Sequence, residues 1–196
     1  MFIETTPESA AEGALAEWYD SQRRSWGFLP DYAGCFSTRP DVAKAWTTLN
    51  LTIRGGMDRR RFEIVTIAAA RALHSTYCTV AHASFLRDVC GDEETVDTLA
   101  VVPDGSTLSE QDAAVFRFAT KVARQAHAIE QADVDAVRAA GLSDAEVTDV
   151  VLAVGARAFF ATVLDGLGAR LDSPTAATFD PQVLAAMVVG RPVGEG

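Results

Sequence analysis

The stretch from Glu63 to His82, EIVTIAAARALHSTYCTVAH, decides the predicted fold and holds the residues best suited to chemistry. Its first part is almost wholly apolar, which predicts a buried helix of about four turns that starts near Asp58. Residues 74–76, His-Ser-Thr, do not favour a helix interior, so we expect a break there and a second helix ending at Val89. A break this short lets the second helix fold back against the first.

Cys78 and His82 are four residues apart, so a helix places them roughly 40° apart on one face. At this spacing the imidazole reaches the sulfur directly or through one water, and a nearby histidine favours the nucleophilic thiolate. Ser75 lies one turn earlier on the same side. Glu63, on the preceding helix, is placed to orient His82 or to relay its proton. The alternative interpretation is that these are packing residues of an apolar helix pair.

The same residues resemble the signature of the alkylhydroperoxidase D-like (AhpD-like), carboxymuconolactone decarboxylase superfamily. That signature is a glutamate, eleven residues, a cysteine, two residues, a second cysteine, three residues and a histidine. Glu63, Cys78 and His82 fall on the glutamate, the second cysteine and the histidine, and Ser75 stands where the first cysteine belongs. The resemblance is to the peroxidase-related branch and covers most of residues 15–172. A departure lies at 161–162, where many of these relatives have Asn-Arg and this chain has Ala-Thr.

The resemblance implies an all-α domain with a central antiparallel helix pair, assembled as a homo-oligomer, usually a trimer or hexamer. It implies a catalytic site of Cys78, His82, Glu63 and Ser75 that acts on a small-molecule substrate. In two-cysteine members the thiolate reduces a peroxide, becomes a sulfenic acid and is resolved as a disulfide by the neighbouring cysteine. Ser75 forms no disulfide, so that cycle is not available in its usual form.

Of three functions that remain open at this point, we expect the first, because acid–base chemistry has no need of the retained thiol. The first is a peroxidase in which Cys78 is oxidised and is resolved by Cys35, Cys90 or an external thiol reductant. The second is acid–base chemistry on a small organic acid, as in the decarboxylase branch, with His82 and Glu63 as proton carriers. In that case Arg71 or the cluster at 59–61 would anchor substrate carboxylates. The third is an inactive helical oligomer.

The amino-acid composition and net charge limit the classes of partner that we expect. A formal net charge of −10 argues against nucleic acid, because phosphate neutralisation supplies most of that affinity. The cluster Arg59 to Arg61 is too short to change this; we expect it in the first turn of a helix, solvated or met by carboxylates. The apolar stretch 150–164 has Arg157 in its middle and is too short to span a bilayer, so no membrane contact is expected. With no secretory signal and three cysteines, we expect a cytoplasmic protein with reduced thiols, without metal or cofactor.

The rest of the chain predicts further helices and a single domain over residues 1–172. Helix starts are predicted at Thr6-Pro7, Pro40, Asp92, Ser109 and Gln131, and a capping box at Ser143 opens a long helix that we expect to be buried. Residues 173–196 form a tail with one short helix from Pro181 to Val189, frayed or laid on a partner subunit.

Overall fold

The computed structural model describes residues 1–194, and over that range the chain is all-α, without a β-strand. The α-helices are α1 Gly13–Trp26, α2 Pro40–Gly55, α3 Arg59–Ala72, α4 Thr76–Asp88, α5 Glu93–Val101, α6 Glu110–Gln125, α7 Gln131–Ala139, α8 Asp144–Leu167, α9 Ser173–Ala176 and α10 Pro181–Met187. Short 3₁₀ segments cover Glu8–Ala10, Asp31–Phe36 and Ala126–Ala128.

The centre of the fold is the antiparallel pair α3 and α4, as predicted. The residues of α3 from Phe62 to Ala70 are all buried, because α4, α6 and α8 pack around it. The chain reverses through a Schellman motif: Ser75 N–H donates to Ala70 O at 2.9 Å, and His74 N–H donates to Arg71 O at 3.1 Å. His74 takes the left-handed conformation that this motif requires, with φ 57°.

Side-chain caps begin the helices around this centre. Asp58 accepts a hydrogen bond from the backbone N–H of Arg61 and so caps α3, and Ser109 caps α6 in the same way. The predicted capping box at α8 is present in full, with Ser143 and Glu146 each accepting from the other's backbone N–H. These caps account for the agreement between predicted and observed helix starts.

The first helix begins later than predicted. Thr6-Pro7 opens only the 3₁₀ turn Glu8–Ala10, and α1 begins at Gly13. Gly13 has φ 53°, a conformation that glycine adopts without steric cost, so the chain changes direction just before α1. The expected start at Thr6 is therefore wrong.

The long helix α8 is buried on one side only. Arg157 and Phe160 point into the core, whereas Val151, Leu152 and Phe159 are 42–48% exposed. Among residues 1–194, α8 is the one helix long and apolar enough to cross a membrane, and half of its most apolar window is buried. Its packing against α2, α3 and α6 and its buried arginine favour a core helix. The expectation that α8 is buried all round is wrong for this face.

The segment after Asp172 packs on its own chain as far as residue 194. Helix α10 contacts α4 and α5, and it ends at Met187, two residues before the predicted end. Gly190 N–H donates to Thr76 Oγ1 at 2.9 Å, and the Arg71 side chain donates to Ala186 O at 3.1 Å. These contacts secure residues 186–190 across the turn between α3 and α4. The last two residues of the predicted tail lie outside the described range.

Candidate active site

The reversal between α3 and α4 brings Glu63 and His82 together. Glu63 lies in the second turn of α3, and His82 lies midway along α4. Glu63 Oε2 accepts a hydrogen bond from His82 Nδ1 at 2.5 Å, and both side chains are buried. Residues nineteen positions apart in the chain thus form the direct pair that the sequence predicts.

Glu63 is held as a carboxylate. Burial by itself would raise its pKa, but the charges and hydrogen bonds of His82 and Arg59 outweigh burial and lower the pKa below its ordinary value. Arg59 Nε donates to the second carboxylate oxygen at 2.5 Å, from one turn earlier in α3. Each oxygen of Glu63 therefore has one donor, and the orientation of the carboxylate is determined on both sides.

His82 is neutral at pH 7. Burial, followed by the positive charge of Arg157, lowers its pKa to about 4 despite the opposing effect of Glu63. Because Glu63 is ionised and can only accept, Nδ1 carries the hydrogen of the bond between them, and Nε2 is left with a lone pair. His82 is therefore a base with its free nitrogen defined, rather than a positive neighbour for Cys78.

The positive neighbour of Cys78 is Arg157. Its Nη1 donates to Cys78 Sγ at 3.5 Å, and the two residues are 3% and 1% exposed. The guanidinium carbon lies 5.9 Å from the centre of the Trp46 ring and 5.4 Å from that of Phe160, within the range of cation–π attraction. Its Nε is buried and has no hydrogen-bond acceptor among residues 1–194. A buried guanidinium needs a partner, and Cys78 Sγ is the side-chain acceptor that it contacts.

A cavity of about 280 Å³ joins these groups. It lies between α1, α2, α3, α4 and α8, and Cys78, His82, Glu63 and Arg157 are among its twenty lining residues. Eight of the twenty are aromatic: Trp18, Trp26, Tyr32, Trp46, Phe62, Tyr77, Phe85 and Phe160. Its walls are thus largely apolar, with a few polar groups placed around the sulfur, which is the usual form of a small-molecule site.

Ser75 does not line this cavity. It precedes the first residue of α4 and is completely buried one turn before Cys78. Cys35 and Cys90 also lie outside the cavity lining, and burial raises the pKa of Cys35 to about 12. Of the four site residues that the sequence predicts, the structure therefore brings Glu63, Cys78 and His82 to one cavity and leaves Ser75 in the packing behind it.

Most of the arginines predicted to anchor a substrate carboxylate lie outside the Cys78 cavity. Arg71 lines a separate cavity of about 650 Å³ that does not include Cys78, and its side chain binds the backbone of the tail. In the 59–61 cluster, Arg60 pairs with Asp92 and Asp112, and Arg61 pairs with Glu146. Only Arg59 reaches the Cys78 cavity. The sequence left two expectations for the cluster at 59–61, that it is solvated or that carboxylates meet it. Carboxylates from other elements do pair with Arg60 and Arg61.

The residue of the candidate site that sequence reasoning missed is Arg157. From the sequence, its charge indicates only that the apolar stretch 150–164 is unsuitable for a membrane. The position of Arg157 also indicates a buried site, because an arginine in the middle of a core helix needs a polar partner or a cavity.

Within residues 1–194, no group of three or more His, Cys, Asp or Glu side chains is arranged to hold a metal ion.

Comparison with known proteins agrees with the fold and with the central motif. Residues 40–121 match the model of the Carboxymuconolactone decarboxylase family. Alkyl hydroperoxide reductase Rv2159c from Mycobacterium tuberculosis is 36% identical over 86 residues, which are 43% of this chain and 25% of that protein. The chain thus spans about a quarter of the length of this curated relative.

Two solved structures share the architecture over most of the chain. The alkylhydroperoxidase AhpD core of an uncharacterized peroxidase-related protein from Ralstonia eutropha has a TM-score of 0.77 at 20% identity and covers 97% of both chains. An uncharacterized peroxidase-related protein from Silicibacter sp. has a TM-score of 0.72 at 17% identity and covers 89% of this chain and 91% of that chain. At these identities the likeness is one of fold.

Proposed function

We propose that this chain, whose residues 40–121 match the Carboxymuconolactone decarboxylase family, is a thiol-dependent peroxidase in which Cys78 is the peroxidatic residue. The observation that carries this proposal is the contact between the Arg157 guanidinium and Cys78 Sγ in a cavity lined by aromatic side chains. A guanidinium at this position stabilises the thiolate, which is the form of cysteine that attacks a peroxide.

The first half of the reaction oxidises the thiol. Cys78 gives its proton to His82 Nε2, and the thiolate attacks the terminal oxygen of a hydroperoxide. The O–O bond breaks as the S–O bond forms, so the leaving alkoxide takes the bonding electrons and regains the proton from His82. The products are one alcohol and a sulfenic acid on Cys78. Glu63 stabilises the transient imidazolium through Nδ1 while Arg59 holds the carboxylate in place.

Two residues that line the cavity have a buried polar atom without a partner, which favours a polar ligand such as a hydroperoxide. Arg157 Nε is a donor and Asn50 Oδ1 is an acceptor; both are buried and neither has a hydrogen-bond partner among the described residues. A hydroperoxide offers both kinds of partner, because it has one O–H donor and two accepting oxygens. Such orphan groups are costly in a folded protein unless a ligand or water meets them.

The second half of the reaction needs a thiol from outside the cavity. Ser75 cannot form a disulfide, and Cys35 and Cys90 do not line the cavity. An external thiol therefore attacks the sulfenic acid, releasing water and leaving a mixed disulfide, and a second thiol reduces that disulfide to restore Cys78. The net change is oxidation of two external thiols to one disulfide for each hydroperoxide reduced.

Acid–base chemistry on a small organic acid is the second candidate. The Glu63–His82 pair favours it, because a buried neutral histidine oriented by a carboxylate is a complete general base without Cys78. The third possibility, an inactive helical oligomer, is disfavoured by the cavity beside the sulfur.

Hydroperoxide turnover with a small dithiol as reductant separates these candidates. Under the proposed reaction, Cys78→Ala abolishes turnover, and His82→Gln lowers it at least tenfold, because the leaving alkoxide loses its proton donor. Cys35→Ser and Cys90→Ser are the matched controls and keep wild-type rates. No hydroperoxide turnover by the wild-type protein would contradict the proposed reaction and favour the acid–base candidate instead.

A further inference from the structure

Positive groups outnumber negative groups in the Cys78 cavity. Three guanidiniums line it, those of Arg54, Arg59 and Arg157, whereas Glu63 is its one carboxylate. Both oxygens of Glu63 are already occupied by Arg59 and His82. The imbalance is local, because the whole chain has a formal net charge of −10. A cationic recess in an acidic protein concentrates anions from solution.

Arg54 is the guanidinium without an assigned task. It lies in the last turn of α2, half-buried, with no hydrogen bond or ion pair from its side chain to any residue in the range 1–194. Burial and the like charge of Arg59 lower its pKa. An anion bound beside Arg54 would oppose this lowering of the pKa, because it would be a counter-ion for the guanidinium.

The walls around these cations are suited to a flat apolar group. Trp46 and Phe160 are stacked, with ring centroids 4.0 Å apart and planes at 16°, and Trp26 packs on Phe85 at 5.3 Å. The volume of about 280 Å³ is near the lower end of ligand-binding pockets, so the space suits a single ring with a short substituent. Aromatic walls favour an aromatic guest through offset and edge-to-face contacts.

We propose that the substrate recognised by this cavity is an aromatic carboxylate, with its ring between the aromatic walls and its carboxylate on Arg54. The inference rests on the proposed function for the reaction, in which the substrate is a carboxylate-bearing aromatic hydroperoxide that is reduced to the corresponding alcohol. Arg157 stabilises the Cys78 thiolate and binds the peroxide group, and Arg54 binds the substrate carboxylate. Arg54 is then a specificity-determining residue that a neutral alkyl hydroperoxide does not use.

Binding can be measured without any reaction. All three tryptophans of the chain, Trp18, Trp26 and Trp46, line the cavity, so intrinsic fluorescence reports its occupancy. The probes are benzoate and its neutral isostere benzamide, titrated into the wild-type protein with its thiols reduced. The expected result is saturable quenching by benzoate with at least tenfold weaker binding of benzamide. Equal binding of the two, or none of benzoate, would overturn the proposal.

Arg54→Gln tests the anchor, with Arg24→Gln as the matched control because Arg24 is exposed and outside the cavity. We expect Arg54→Gln to weaken benzoate binding at least tenfold and to leave benzamide binding as it was, while Arg24→Gln changes neither. Benzoate affinity unchanged in Arg54→Gln would contradict the assignment. If Arg54→Gln does not fold, the difference between benzoate and benzamide affinity in the protein that keeps Arg54 still tests the preference for a carboxylate.

A parallel experiment separates this inference from the reaction itself. Wild-type protein is treated with cumene hydroperoxide or its ring-carboxylated analogue, and the rate of Cys78 oxidation is followed. Faster oxidation by the carboxylated compound, reduced by Arg54→Gln, supports both proposals. Selective benzoate binding with no oxidation of Cys78 by either compound would support the ligand assignment and contradict the peroxidase reaction alone. Equal rates for the two compounds would contradict the carboxylate preference.

Discussion

Arg157 is the buried positive charge beside Cys78. A guanidinium that is 3% exposed and has no carboxylate partner among residues 1–194 is costly to bury, and Cys78 Sγ is the side-chain acceptor that it contacts. The aromatic rings of Trp46 and Phe160 add a weaker attraction on its faces. Reactivity of Cys78 should therefore depend on the charge at position 157 more than on His82, which is neutral.

We expect Arg157→Met to slow alkylation of Cys78 by iodoacetamide at pH 7 at least tenfold, because the thiolate loses its counter-ion. Arg157→Lys keeps the charge and should retain most of the reactivity. Peptide mapping by mass spectrometry separates Cys78 from the other thiols, and Cys35, whose pKa is about 12, provides an unreactive internal reference. An unchanged alkylation rate in Arg157→Met would show that the guanidinium does not hold the thiolate.

The buried neutral state of His82 links stability to pH. Its pKa is about 4 in the fold and near 6.5 otherwise, so the unfolded chain takes up a proton at this residue below pH 6.5 and the folded protein does not until pH 4. The contribution is fully present above pH 6.5 and is lost as the pH falls toward 4. It amounts to roughly 2 kcal/mol between pH 7 and pH 5.

Urea unfolding at pH 7 and pH 5 measures this effect. Wild-type protein should lose more free energy of unfolding over that interval than His82→Gln, which has no imidazole to titrate. The other titrating groups are common to both proteins and cancel in the comparison. Equal losses in the two proteins would mean that His82 is already protonated in the fold at pH 5.

At the scale of elements, residues 186–190 secure the turn between α3 and α4. A Cβ added to Gly190 would lie 1.8 Å from the backbone oxygen of His74, a contact that no side-chain rotation relieves. We expect Gly190→Ala to lower the free energy of unfolding by about 2 kcal/mol or more, through displacement of the tail. Thermal unfolding followed by circular dichroism measures it.

Gly166→Ala is the control for this prediction. Gly166 lies within α8, and a Cβ added there meets no atom within 4 Å. The substitution should leave stability unchanged or raise it by up to about 1 kcal/mol, because alanine favours a helix. If Gly190→Ala were as stable as Gly166→Ala, the tail would not be held against the turn.

Much of this architecture is predictable because its signals are local. Caps at Asp58, Ser109 and Ser143 mark three helix starts, and the break at His74 marks the reversal that brings Glu63 to His82. The contacts that escape prediction join distant segments. Cys78 and Arg157 are 79 residues apart, and no periodicity in either helix reveals that they meet. The aromatic walls are missed for the same reason, because they come from five helices and the 3₁₀ segment Asp31–Phe36.

At the scale of the whole molecule, the exposed face of α8 is the region that a homo-oligomer would cover. Val151, Leu152 and Phe159 are exposed on one side of the helix. Large apolar side chains exposed on the same side of one helix are candidates for a contact between subunits. The resemblance implies a trimer or hexamer, and we expect the contact between subunits to include this face.

Phe159→Glu tests that expectation, because a carboxylate in an apolar interface is costly to desolvate. Light scattering after size-exclusion chromatography should show the wild-type chain as an oligomer and Phe159→Glu as a smaller species. Val101→Glu is the control, since Val101 is 80% exposed on α5. The same mass for wild type and Phe159→Glu would place the interface elsewhere or show that the chain is monomeric.

The most direct test of the central claim is the state of Cys78 after one equivalent of hydroperoxide. The Cys35→Ser, Cys90→Ser double variant leaves a single thiol, and dimedone traps a sulfenic acid as a stable adduct. Mass spectrometry should find the adduct on Cys78, formed in a yield that matches the hydroperoxide consumed, and formed more slowly in Arg157→Met. Consumption of hydroperoxide with Cys78 left unmodified would contradict the account.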